Sequence, residues 1–221
     1  MAYTEKDEKR LVELLQKIED GKEHEYSAPT YKDTPYLKEM QDIVKNHLDS
    51  EQPYDKDTLT DSISVLRYLA GSYEKMCRVL YAEEMYKWVL ELRSELYKRY
   101  SLTEEGCDDD YYWALRLRNY YKKDDCKDLS TLMSEILPES SRIKIEAEVS
   151  KYYPSIKHDP IELSEKYLSV IDEVERRMDE AGADKMHTFE RIDLKAKLLC
   201  EYGVFWRSEI IMNPNAVSYT H

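Results

Sequence analysis

Between residues 59 and 100, apolar and small side chains fall at Leu66, Leu69, Ala70, Tyr73, Ala82, Tyr86 and Val89. Within each half of that stretch they recur three or four apart, the spacing that sets side chains on one helical face. Polar Glu74-Lys75 separates the halves. The pattern predicts one helix to about Tyr73 and a second from about Lys75 to Tyr100, folded back on each other. One kinked helix is the alternative, because no Gly or Pro stands at the turn and only Gly71-Ser72 precedes it.

The same periodicity extends to both sides. Residues 4–20 carry Leu11, Leu14, Leu15 and Ile18 on one stripe, with Gly21 placed to end the helix in the left-handed conformation. A loop with Pro29 and nearby tyrosines leads to Thr34-Pro35, a hydroxyl cap followed by a proline, which predicts a helix over 35–49 burying Leu37, Met40, Val44 and Leu48. Thr58-x-x-Asp61 has the form of a capping box and opens the central stretch. Further helices are predicted over 109–123, from about Cys126 to Leu137, and through Ile143, Ile145 and Val149. Asp159-Pro160-Ile161-Glu162 combines a cap, a first-position proline and a Glu, and opens a helix with Tyr167, Leu168, Ile171, Val174 and Met178 that ends near Gly182. A last helix from Asp184 to about residue 213 is predicted to bury Phe189, Ile192, Leu199, Tyr202, Trp206 and Ile210. With both helices roughly 30 Å or longer, these two form a long antiparallel hairpin.

The chain is thus read as all-α, about nine helices in antiparallel hairpins. An N-terminal pair spans 1–57, central hairpins 58–153 and the long hairpin 154–213 of one continuous domain, with a loose tail over 214–221. Five Gly and seven Pro in 221 residues leave room for few turns, and runs of alternating Val, Ile and Thr that would mark strands are missing.

Net charge is −13, which argues against a nucleic-acid or anionic-membrane partner, since both require a basic footprint. No apolar run approaches the ~20 residues of a membrane span. Residues 4–10 are charged where the apolar core of a signal peptide would stand, and the four cysteines form no C-x-x-C, so free thiols in the cytoplasm are expected. Twenty Tyr against two Phe is read as Tyr standing in for Phe at half-buried positions, ahead of a recognition surface.

No phosphate-binding loop, dinucleotide fingerprint, nucleophile elbow or H-E-x-x-H motif occurs, and no histidine has Glu three residues before it. His158-Asp159 is given to helix capping, not to metal. The acids from Glu104 to Asp110 lack the alternate-residue ligands of a calcium loop and suit a helix N-terminus. Cys77 and Cys200 are read as core residues. No catalytic residue, metal or cofactor is therefore expected. One internal echo stands out: Tyr86-x-Trp88-x-Leu90-x-Leu92-Arg93 returns as Tyr111-x-Trp113-x-Leu115-x-Leu117-Arg118, 25 residues later.

Counted from Ile63 as first position, Leu66, Leu69, Ala70, Tyr73, Ala82, Tyr86 and Val89 resemble a tetratricopeptide repeat, a helical hairpin of about 34 residues. Cys77 stands where that family uses Gly, and Ser94 where it uses Pro. A second, degenerate unit with Leu117 and Tyr121 on matching positions begins 48 residues after the first and puts Arg118 at a small-residue position. The resemblance covers about a third of the chain and implies an α-solenoid-like array. It also implies that the first helix of each unit lines a groove, exposing Arg67 and Tyr68, then Tyr112, Arg116, Asn119 and Lys122. Those residues would hold a peptide's carboxylates and pack its apolar parts. The expected function is a non-catalytic protein- or peptide-binding adaptor. The alternatives are an acidic, immunity-type inhibitor of a basic enzyme, and an enzyme whose site the sequence conceals.

Overall fold

Helix caps and apolar stripes become ten α-helices and two short 3-10 turns in the computed structural model, which describes residues 3–22, 27–50, 54–103, 105–121, 126–151 and 158–214. There is no strand among the described residues. The chain divides into two compact units, Met1–Tyr152 and Tyr153–His221.

In the first unit, α1 (Glu5–Asp20) is capped by the Thr4 hydroxyl, which accepts from the Asp7 N–H, and it buries Leu11, Leu14 and Ile18. Gly21 ends it with φ −78°, so the expected left-handed stop is not used there. Helix α2 (Thr34–Ser50) begins one residue earlier than expected. Its entry is organised by Asp33, whose carboxylate takes the Thr30 N–H at 2.7 Å and whose carbonyl takes the Leu37 N–H. The Thr34 hydroxyl is buried and caps nothing. Likewise α3 (Lys56–Lys75) is capped by Asp55, accepting from Thr58 N–H at 2.8 Å, and not by the expected Thr58 box. The ionised carboxylate is the stronger acceptor, and Thr58 turns into the core.

Helix α3 continues through Ser72–Lys75, past the expected break, and stops at Met76–Arg78; α4 (Val79–Tyr100) then packs back along it. Two helices, not one kinked helix, fill the central stretch. The stop is a Schellman motif: Arg78 N–H reaches the Tyr73 carbonyl, Cys77 N–H reaches that of Glu74, and Cys77 itself is left-handed at φ 57°. Ala82 and Val89 are fully buried against Leu66, Leu69 and Ala70 in one continuous core. After α4, α5 (Cys107–Tyr121) packs on α4 and on α7 (Glu139–Lys151), with the short α6 (Lys127–Met133) against α4 and α5. Tyr73 and Tyr111 are fully buried, and where the hydroxyls go explains why Tyr serves: Tyr73 donates to Gln41, Tyr111 to Glu146, and Tyr3 pairs with Ser62 while stacking on His47.

The second unit departs further from expectation. Asp159 caps a 3-10 turn (Pro160–Leu163), and Ser164 then caps α8 (Glu165–Glu180) afresh, burying Tyr167, Leu168, Ile171 and Val174. Helix α9 (Thr188–Glu201) is 14 residues long, about 21 Å, not a rod running to residue 213. Gly203, at φ 69°, stops it with the same Schellman bonds, Val204 N–H to Leu199 and Gly203 N–H to Cys200. An extended segment then leads to α10 (Glu209–Met212). Of the residues expected on the buried face, Leu199 is buried, while Ile192, Tyr202, Trp206 and Ile210 are half-buried and Phe189 is exposed. Leu198 and Val204 are buried as well, and because the helix ends before Gly203, Trp206 and Ile210 no longer share the face of α9. Cys77 and Cys200 are both exposed, correcting their assignment to the core.

Candidate functional site

The residues nominated from the sequence lie on α3 and α5, and the link between those helices is a buried ion cluster. Asp110, in the first turn of α5, has no exposed surface. Its Oδ2 accepts from Arg93 Nε of α4 at 2.6 Å, and its Oδ1 lies 2.8 Å from Arg67 Nε of α3. Arg93 also donates to the Glu105 carbonyl at 3.3 Å. One carboxylate therefore joins three helices. Gly106, left-handed at φ 85°, leaves the space this requires: a Cβ there would sit 3.2 Å from the Arg67 guanidinium.

Arg67 remains 43% exposed at the edge of this cluster. Arg116, one turn back from the end of α5, lays its guanidinium over the Trp113 ring, 4.5 Å from the centroid. Both cations bear on one phenol, that of Tyr86 in α4. Burial pushes that hydroxyl up to about 12, with Glu74 and Asp110 adding to the rise and Arg67 and Arg116 opposing it. Burial likewise raises the Glu74 carboxyl, against the pull of Arg116 and Lys75. Arg67, Glu74, Tyr86 and Arg116, drawn from α3, α4 and α5, thus act on one another electrostatically.

The Tyr68 phenol is raised by burial in a different setting, under the charges of Glu19, Lys22 and Asp33 at the α1–α2 connection. Tyr112 packs on the core and meets Trp113 edge-on at 5.6 Å. Asn119 is half-buried, and Lys122 lies outside the described residues.

Sequence reasoning missed Asp110, Arg93 and Glu74. A signal was present in the Y-x-W-x-L-x-L-R echo, for both copies are buried in the same pattern. Tyr86 and Tyr111, Leu90 and Leu115, and Leu92 and Leu117 are all interior, and both closing arginines are buried and ion-paired. Arg93 meets Asp110, while Arg118 donates to Glu83 at 2.8 Å and to Asp128. An arginine inside an apolar helical stripe needs a carboxylate, and the acids preceding Tyr111 supply one.

The second unit carries a shallow, open cleft of about 510 Å³, lined by Ile161, Val204, Phe205 and Trp206 with Asp159 and Arg207 at its polar end. Arg207 donates to Asp159 from its backbone N–H and from Nε, which holds the Asp159 carboxyl below its usual range despite burial. That pair is a structural brace. Among the described residues no group of His, Cys, Asp and Glu is placed to hold a metal ion, and no helix is long and apolar enough to cross a membrane.

Comparison with protein-family models, with curated proteins and with solved structures finds no match.

Proposed function

We propose that the protein is a non-catalytic adaptor whose helical hairpins stack in tetratricopeptide-like fashion and hold an acidic peptide segment of a partner protein. The observation that carries this reading is that two arginines on α3 and α5 are each oriented by a neighbour, Arg67 by Asp110 at 2.8 Å and Arg116 by the Trp113 ring, with both charges opposing the rise of the Tyr86 phenol. Two guanidiniums, Arg116 laid on the Trp113 ring and Arg67 43% exposed at the edge of the Asp110 cluster, suit bidentate recognition of carboxylates. Arg67 is held in direction by Asp110, and Arg116 by Trp113, so less side-chain freedom is lost on binding. Glu74, coupled to Arg116, disfavours a second anion close by, which favours a peptide with one acidic residue at the arginines and apolar neighbours.

The test is affinity capture from native extract with the wild type and with Arg67→Ala/Arg116→Ala, whose helicity is checked by circular dichroism. A partner bound through the two arginines loses about tenfold or more in affinity with the double variant, and its binding weakens with salt. Undiminished capture by the double variant sinks the proposal. Capture that survives it and is lost when surface acids are neutralised supports the acidic-inhibitor reading instead.

A further inference from the structure

In the second unit the segment after Gly203 is fastened to the 3-10 turn by a cluster centred on His158. Nδ1 of His158 lies 3.2 Å from Glu209 Oε1, at the start of α10, and 3.5 Å from Glu162 Oε2 in the turn. Glu162 is buried and accepts the Trp206 indole N–H at 2.6 Å. The ring of Trp206 is covered by Lys195 of α9, 4.7 Å away. Next to His158, Asp159 grips Arg207 and caps the Ile161 N–H at 3.1 Å. Lys166 of α8 also donates to the Gly203 carbonyl, and Ser208 caps α10.

We infer that His158 is a proton-operated clasp: charged, it bridges Glu162 and Glu209 and tightens residues 204–212 on the turn, and neutral, it loosens them against the remaining Asp159–Arg207 and Glu162–Trp206 bonds. Two carboxylates meet at one imidazole nitrogen. With the ring charged, both are attracted to it. With the ring neutral, one N–H can serve only one of them, and the carboxylates repel each other across the gap. Lys195 is the charge that faces His158 from α9 and opposes its protonation; the Asp159–Arg207 pair on its other side is closed on itself.

The direction follows from linkage. The hydrogen bond to Glu162, with Glu162 and Glu209 as neighbouring charges, raises the imidazole above its ordinary 6.5 despite burial. A group raised on folding contributes stability fully below its unfolded value and loses it as pH climbs through the folded one. The clasp is therefore tight in mild acid and loosens as pH climbs from 6.5 through the raised value of His158. Phe205, Trp206 and Arg207 line the cleft, so loosening reshapes it.

Hydrogen exchange on the full chain at pH 5.5 and pH 8.5, corrected for intrinsic rates, tests this. Protection of the amides from Val204 to Met212 is expected to fall by roughly three- to tenfold at the higher pH, while α8 stays unchanged. In His158→Gln and in Glu209→Gln that pH difference disappears, and circular dichroism reports whether each variant is folded. Protection independent of pH in the wild type overturns the clasp, as does a pH difference that survives in folded His158→Gln. If His158→Gln does not fold, Glu209→Gln alone decides: a persisting difference overturns the inference.

Discussion

Cys77 holds a left-handed backbone at the turn between α3 and α4, where an L side chain costs about 1–2 kcal/mol and Gly costs nothing. Its side chain is exposed, so burial of apolar area does little to offset the strain. Cys77→Gly relieves the strain and gives some back as unfolded-chain entropy, for a net effect between zero and about 1 kcal/mol stabilising. Cys77→Val, β-branched at positive φ, destabilises by about 1–2 kcal/mol. Urea unfolding of the two variants checks this, and a Gly variant weaker than the Val variant would contradict the strain account. The position was legible as a turn only through its place in the repeat resemblance. Apolar periodicity reads Cys77 as interior, because periodicity is blind to the residue that leaves the helix. Gly203 is the opposite case: the residue type announced a stop, and the apolar pattern on either side concealed it.

At the scale of elements, Asp110 is the fastening of α3, α4 and α5. Removing one member of a buried ion group strands the other, and Arg93 is 3% exposed. Asp110→Ala is expected to cost about 3–5 kcal/mol, because the Arg93 charge is left without its partner. Arg93→Leu/Asp110→Leu, which removes the buried charges together, recovers most of that loss. Chemical denaturation gives both numbers, and a single variant costing under about 1 kcal/mol would show that the cluster bears little on stability. Helix existence was legible wherever a stripe of Leu, Ile and Val repeated at three and four, as at Leu11, Leu14 and Ile18. Helix starts were less so: Asp55 won over Thr58 by offering a carboxylate, and Asp33 fixed the entry to α2 by gripping the Thr30 N–H upstream while Thr34 turned inward. The candidate site was half legible. Arg67 and Arg116 follow from helix register, whereas Tyr68, their neighbour in register, is claimed by charges around α1 that only the tertiary fold brings near.

For the whole molecule, the division at residue 152 is a claim about where the core ends. The large apolar cluster runs from Tyr3 to Val149 and draws every member from the first unit. The second unit has 69 residues (153 to 221) and centres on Tyr167, Leu168, Ile171, Val174, Leu199 and Val204. A core of that size supplies only about 3–5 kcal/mol, because a short chain buries a smaller share of its surface. Residues 1–152 expressed alone should therefore melt cooperatively with full helical circular dichroism. Residues 153–221 alone should unfold at a clearly lower denaturant concentration, and in a manner that depends on pH, since His158 and Asp159 both brace the segment after Gly203. As pH falls below the ordinary 3.8 and on through the lowered value of Asp159, that carboxyl takes up its proton and its contribution to the fold is lost; as pH climbs from 6.5 through the raised value of His158, the His158 contribution fades. The small unit is thus most stable between those limits, in mild acid. A first fragment that fails to fold, or a second whose stability is flat from pH 3 to 9, would mean that these cores and braces do not act as their contacts imply.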